Sequence, residues 1–215
     1  MHSLRSILCF LAGVLLAAPA FGQAPALPIG LDALNDWAAG KVGVSPTDCS
    51  DEPELEDTFG QFNPPLFPWS DGSIEVDLEF IHKYYKLKTD QAFGILVQEV
   101  LLHEYMHAFG YGSQGESGWV PSSPLTTEDC EHFHMQTFFL AFICDSALHW
   151  TPPTMPWQQE VLDELCRVYD QYKSDVEGAK ASFAGCGVIS EKVFPGGVTI
   201  PEFDPSADVP DCLSC

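Results

Sequence analysis

The sequence predicts a mainly helical α+β domain, and three observations lead to this prediction. Residues 73–80 alternate apolar and acidic side chains, as is typical of a half-buried strand. Residues 91–109 are apolar on most sides of a helix, so this segment is expected to be buried. Two further segments, 126–143 and 156–176, carry apolar residues at helical spacing. A short strand region followed by three helices indicates a small sheet beside a helical core.

The N-terminus has the pattern of a secretory signal peptide over residues 1–20. Arg5 supplies a positive charge, an apolar run follows, and Ala18-Pro19-Ala20 matches an A-x-A cleavage site. The run is shorter than the roughly 20 residues that span a bilayer, so we expect a secreted or periplasmic protein. The expected organisation is one domain over 21–190, which includes an acidic, proline-rich loop at 45–72, and a Gly/Pro/Asp-rich tail at 191–215.

The chain is strongly acidic, with 9 basic against 31 acidic residues and a net charge of −22. Such a surface repels nucleic acid and anionic membranes, so neither is expected as a partner of the processed protein. A basic substrate would be steered towards it, although solvation of the surface is the better explanation of the charge.

Seven cysteines follow the signal segment, and export would favour disulfides among them. The odd number leaves at least one thiol unpaired or shared with another chain. Cys130 and Cys144 would lie about 21 Å apart on one helix, which is too far for a bond. Cys144 and Cys166 lie on successive predicted helices and are one candidate pair.

The most specific motif is H-E-x-x-H, formed by His103, Glu104 and His107. Residues four apart lie one above the other on a helix, so the two histidines can share one metal ion. Glu104 can reach a water molecule beside that ion without being a ligand. Neutral imidazoles suit zinc, and two of them leave room for a third protein ligand and a water. A buried helix with two hydrogen-bonded histidines is the alternative interpretation.

The residues around the motif resemble the extended consensus of the zincin metallopeptidases. Val100 is the β-branched residue three positions before the first histidine, and Phe109 is the hydrophobic residue two after the second. Uncharged residues occupy the other consensus positions, Leu101, Tyr105, Met106 and Ala108. The resemblance covers about ten residues, and the remaining chain only in its general layout. It implies a zincin-like catalytic domain with an active-site helix, a following ligand-bearing helix, bound Zn²⁺ and a peptide or protein substrate.

The same resemblance gives the predicted strand a candidate role. In zincins, a strand just before the active-site helix often forms the sheet edge along which an extended peptide lies. Ile74, Val76 and Leu78 are therefore the candidate substrate edge, with recognition by strand addition. A purely structural strand would show the same alternation.

The third ligand determines the subclass. Metzincins have a histidine at the position that Ser113 occupies here, which removes that subclass and leaves a gluzincin-like arrangement with a glutamate on a following helix. On the helix predicted at 126–143, Glu128 is nearest the centre of the apolar face and is the first choice. His132 and Glu131 also fall on this face and are the alternatives, as third ligand or as supporting residues.

The predicted function is a secreted zinc-dependent peptidase. Zinc would lower the pKa of a bound water, and Glu104 would act as the general base and pass the proton to the leaving amine. Tyr111, His134 and His149 are candidates for an additional hydrogen-bond donor in the transition state. The alternatives are a non-catalytic secreted binding protein with a structural zinc, and a metal-free helical domain held by disulfides.

Overall fold

The computed structural model describes residues 42–47, 58–65, 72–112, 119–148, 150–194, 198–209 and 211. Within these residues the protein has the predicted α+β, mainly helical fold. The helices are α1 (Leu78–Tyr85), α2 (Asp90–Ala108), α3 (Thr127–Leu148) and α4 (Pro156–Ala179), followed by a 3-10 turn at Ala184–Cys186. The strands are β1 (Val42–Thr47), β2 (Gly60–Asn63), β3 (Gly72–Asp77), β4 (Lys192–Val193) and β5 (Thr199–Ile200).

The helices begin where side chains satisfy free backbone N–H groups. The Thr89 hydroxyl accepts a hydrogen bond from Ala92 N at 3.3 Å and caps α2. At the start of α3 the caps are reciprocal: Thr126 Oγ1 accepts from Asp129 N at 3.1 Å, and Asp129 Oδ2 accepts from Thr126 N at 2.8 Å. Pro156 opens α4, where a missing N–H is tolerated. These caps explain why the predicted helix starts agree with the structure.

A buried carboxylate connects the start of α2 to α4. Glu164 is 8% exposed and accepts hydrogen bonds from Lys88 N at 2.7 Å, Thr89 N at 3.1 Å and Thr89 Oγ1 at 2.7 Å. A buried charge is tolerated when several donors compensate for its lost hydration. Glu164 therefore holds the capped first turn of α2 in place.

β3 is the central strand of a three-stranded sheet, parallel to β1 and antiparallel to β2. The proposal of a substrate edge at Ile74, Val76 and Leu78 must therefore be corrected, because both sides of β3 are occupied by hydrogen-bonded neighbours. Leu78 is already the first residue of α1, whose N-cap Asp77 accepts from Phe80 N at 2.7 Å. Alternation reports which face is buried and does not distinguish a central strand from an edge. Among the described strands, β2 is the outer strand that packs on α2.

The core lies between the sheet and helices α2, α3 and α4, and it continues into the C-terminal segment. This segment is expected from its composition to be a tail, but part of it is buried. The strands β4 and β5 pair as an antiparallel hairpin, and Glu177 Oε1 accepts from Val209 N at 2.9 Å. The composition predicts a tail because glycine, proline and acidic residues are frequent around the buried residues, which are Phe194, Val198, Ile200 and Val209.

A disulfide between Cys130 and Cys186, with Cα atoms 5.7 Å apart, joins the first turn of α3 to the 3-10 turn. Cys144 on α3 and Cys166 on α4 are also disulfide-bonded. The predicted signal peptide, most of the acidic loop and the other cysteines after residue 20 lie outside the described residues. No helix in the described part of the chain has the length and apolar character needed to cross a membrane.

Candidate metal centre

Three histidines from two helices converge at the interface between α2 and α3. His103 and His107 project from one face of α2, as their spacing predicts, and His132 approaches from the second turn of α3. Each offers one ligand atom, and these atoms all lie within 4.8 Å of one another. The three rings could therefore hold a metal ion.

The separation of one pair of ring nitrogens is compatible with a shared metal ion. His103 Nε2 and His132 Nε2 are 3.2 Å apart. Two nitrogens bound to zinc at about 2.0–2.1 Å in a tetrahedral arrangement are roughly 3.3 Å apart. Both nitrogens of this pair thus lie where a shared ion would place them.

His107 is oriented by a backbone carbonyl. Its Nδ1 lies 3.0 Å from the carbonyl oxygen of Tyr111, which can only accept a hydrogen bond, so Nδ1 carries the proton. The lone pair is then on Nε2, the nitrogen available for a metal. The carbonyl is presented by a turn in which Gly110 and Gly112 have positive φ angles, +76° and +60°, as glycine allows. Hydrogen bonds of this kind fix the tautomer of metal-binding histidines.

Burial favours the neutral form of all three imidazoles, which is the form that binds metals. Burial and the neighbouring rings of His107 and His132 hold the pKa of His103 well below its usual value. Burial also lowers the pKa of His107, and it lowers that of His132 to about 4. Three clustered imidazoles that stay neutral are suited to a dication.

Glu104 lies beside these rings and is 6% exposed. Burial raises the pKa of its carboxyl to about 8, although Phe62 N of β2 donates a hydrogen bond that opposes the shift. β2 approaches α2 closely because Gly60 has no side chain: a Cβ there would lie 2.8 Å from Val100 Cγ1 and 3.2 Å from Glu104 Cγ. Only a residue without a Cβ fits this contact.

Glu104 and His107 line a cleft of about 450 Å³ between β2 and the C-terminal end of α2. Among the described residues that line the cleft, Glu104 and His107 are the ionisable ones. The other described lining residues are uncharged: Gln61, Phe62, Pro64, Pro65, Ala108 and Gly110. The side chain of Glu104 thus borders the cleft on the side of the outer strand.

Glu128, the first choice for the third ligand, does not belong to the cluster. It lies in the first turn of α3, partly exposed, whereas His132, the alternative one turn later, joins the pair. The carboxylate of Glu131 accepts a hydrogen bond from Gly112 N at 3.0 Å. α3 lies against the turn after α2 at His132, where a Cβ on Gly112 would be 2.9 Å from His132 N. The geometry therefore favours His132. The prediction of Glu128 rests on a helix wheel, which shows the face on which a residue lies and not its position along the helix.

Two candidates for a transition-state donor are occupied elsewhere. The hydroxyl of Tyr111 lies 2.8 Å from His134 Nδ1, and His134 Nε2 lies 2.6 Å from the carbonyl oxygen of Pro201. Both side chains are buried, and neither lines the cleft beside Glu104. His149 lies outside the described residues. Two backbone groups of the site were not identified from the sequence, the carbonyl of Tyr111 and the N–H of Phe62. Backbone groups cannot be identified from residue type.

Comparison with protein-family models, with curated proteins and with solved structures finds no match to this chain. Its class is thus defined by its own features: an α+β protein, mainly helical, with a three-histidine centre that could bind a metal ion next to a buried glutamate. Function is inferred from the chemistry of these residues.

Proposed function

We propose that the protein is an exported zinc-dependent peptidase of the zincin type. His103, His107 and His132 would hold the ion, and Glu104 would be the general base. The observation that carries this proposal is the convergence of His132, from a second helix, on the H-E-x-x-H pair beside a buried glutamate. The consensus-like residues from Val100 to Phe109 support a peptidase. A histidine as third ligand departs from the gluzincin pattern, in which this ligand is a glutamate.

The donor set supports zinc. Three neutral imidazoles suit zinc and other late first-row metals, whereas calcium and magnesium take oxygen ligands. Three protein ligands leave a fourth position open, as in catalytic zinc sites. When bound, the ion would supply Lewis-acid chemistry by lowering the pKa of a water molecule and polarising a peptide carbonyl.

The protein's own contribution to the reaction centres on Glu104. Its carboxylate would accept the proton of the attacking water and donate it to the leaving amine. The hydrogen bond from Phe62 N orients this carboxylate at the edge of β2. Burial raises the pKa of this carboxyl to about 8, close to neutral pH, which suits a group that accepts and returns a proton. A nearby dication would lower this pKa and favour the ionised form.

The cleft supports a peptide as substrate. It is bounded by the outer strand β2, and its described lining has no ionisable side chain besides Glu104 and His107, so a peptide bond placed beside Glu104 meets few competing charges. The net charge of −22 would attract basic peptides from solution. Export is supported by the N-terminal sequence pattern and by the disulfide between Cys130 and Cys186.

The test is a Glu104→Gln variant of the full chain, assayed for zinc content and peptide hydrolysis. We expect wild-type protein to bind one zinc ion, and the variant to retain it while hydrolysis falls by roughly 10²–10⁴-fold, the usual contribution of a general base. Equal hydrolysis in the variant would contradict the role of Glu104. Zinc without hydrolysis in the wild type would instead support a structural site in a binding protein, and absence of zinc would support a metal-free domain.

A further inference from the structure

A chain of hydrogen bonds connects the C-terminal hairpin to the turn that follows α2. His134 Nε2 lies 2.6 Å from the carbonyl oxygen of Pro201, which can only accept, so Nε2 carries the proton. Nδ1 is then an acceptor for the Tyr111 hydroxyl, 2.8 Å away. Both side chains are buried, and His134 is 0% exposed. The carbonyl of Pro201 in the C-terminal segment thus sets the tautomer of His134, and through it the hydrogen bond that holds the Tyr111 hydroxyl.

The same turn contacts two of the three proposed ligands. The carbonyl oxygen of Tyr111 accepts a hydrogen bond from His107 Nδ1 at 3.0 Å. Gly112 lies against the backbone of His132, and the space between them is too small for a Cβ. The N–H of Gly112 donates a hydrogen bond to the Glu131 carboxylate at 3.0 Å. A displacement of Tyr111 would therefore move its own carbonyl away from His107, and it would also move the neighbouring Gly112, which lies between α2 and α3.

We infer that Tyr111 and His134 are positioning residues of the metal centre and that the C-terminal hairpin anchors them. They hold the Tyr111 carbonyl where it keeps His107 in the tautomer that presents Nε2 to the ion. This inference rests on the proposed function, since it assigns roles around the same site. Mutation of supporting partners of metal-bound histidines typically weakens metal binding by about 10–100-fold.

The inference is tested by measuring the affinities of Tyr111→Phe, His134→Ala and the double variant for Zn²⁺ and Co²⁺, by competition with a chromogenic chelator. Tyr111→Phe removes one oxygen atom and keeps the carbonyl that bonds His107. We expect each single variant to weaken zinc binding by about tenfold and to alter the visible absorption of the Co²⁺-loaded protein. Because both residues act through one chain, the double variant should lose little more than either single variant.

Two further variants separate positioning from a general loss of stability. His134→Gln, whose amide offers an acceptor and a donor, should recover part of the affinity. Phe142→Leu is the matched control, because Phe142 is also buried in α3 but lies eight residues, about 12 Å, further along the helix. It should lower the melting temperature of the metal-free protein and leave its metal affinity unchanged.

The outcomes distinguish this inference from the proposed function. Unchanged zinc affinity and Co²⁺ absorption in Tyr111→Phe and His134→Ala, with a metal-binding wild type, would overturn the inference alone. An equal loss in Phe142→Leu would also overturn it. A wild type that binds neither ion would overturn the proposed function and the inference together. If His134→Ala does not fold, Tyr111→Phe alone decides.

Discussion

At the scale of single residues, the chemistry of the site was predictable where it depended on residue type and spacing. His103 and His107 lie on one face of α2, and Glu104 lies beside them, as the helical period requires. The choice between Glu128 and His132 was not predictable, because it depends on where α3 approaches α2. In the structure the turn after α2 lies against His132, and Gly112 allows this contact because it has no side chain.

Asp129 gives a prediction about pH at this scale. Burial alone would raise the pKa of its carboxyl, but hydrogen bonds from Thr126 and Ser122 outweigh burial and lower the pKa to about 2. The folded state therefore favours the ionised form, and this stabilisation is present above the ordinary value of 3.8 and is lost as the pH falls towards about 2. Asp129→Asn should lower the free energy of unfolding at pH 6 by about 1 kcal/mol, the usual effect of a helix cap.

Urea denaturation of both proteins between pH 2 and pH 6 measures this effect. The difference in unfolding free energy between wild type and Asp129→Asn should stay constant down to the ordinary pKa of 3.8 and shrink as the pH falls from there towards about 2. A difference that is constant over this range would show that the carboxylate charge of Asp129 contributes nothing.

At the scale of elements, the contact between β2 and α2 forms one wall of the cleft. Gly60 allows this contact, since a Cβ would meet Val100 Cγ1, Glu104 Cγ and the carbonyl oxygen of Glu75. We expect Gly60→Ala to displace β2 from α2 and to destabilise the protein by about 1–3 kcal/mol, as overpacking does. Peptide hydrolysis should fall more than zinc affinity, because Phe62 N moves away from Glu104 while the histidines remain in place.

Gly94→Ala is the matched control, because a Cβ on Gly94 meets nothing within 4 Å. Gly94 lies inside α2, where alanine is favoured over glycine by roughly 0.5–1 kcal/mol, so the control should stabilise the protein. Thermal melting and hydrolysis assays of the two variants provide the comparison. Gly60→Ala with wild-type hydrolysis and stability would show that the close contact is unimportant.

The strand elements also show what periodicity leaves undetermined. Alternation marked residues 73–80 as a strand, and β3 indeed covers Gly72–Asp77. Its place in the centre of the sheet depends on pairing with β1 and β2, which lie in segments that are rich in proline, glycine and acidic residues. The outer strand was therefore assigned to the wrong segment, although the helices α2, α3 and α4 followed their caps and apolar spacing closely.

At the scale of the whole molecule, distant parts of the chain support one site. The disulfide between Cys130 and Cys186 fixes the first turn of α3, two residues before His132. The C-terminal segment returns to α3 at His134, through the carbonyl of Pro201. Apart from the residue type of the two cysteines, these long-range contacts have no local sequence signal, because the pairing partner of each group is set by the fold. The composition of the segment after residue 190 predicted a tail for the same reason.

The central claim is that His103, His107 and His132 together bind zinc, and zinc affinity in matched variants tests it most directly. Full-length wild type, His132→Ala and Glu128→Ala would be compared by chelator competition, with zinc stoichiometry measured on each protein. We predict one zinc per wild-type chain, affinity weaker by roughly 100-fold or more in His132→Ala because a ligand is lost, and no change in Glu128→Ala. Retained affinity in His132→Ala with loss in Glu128→Ala, or a wild type that binds no zinc, would contradict the claim.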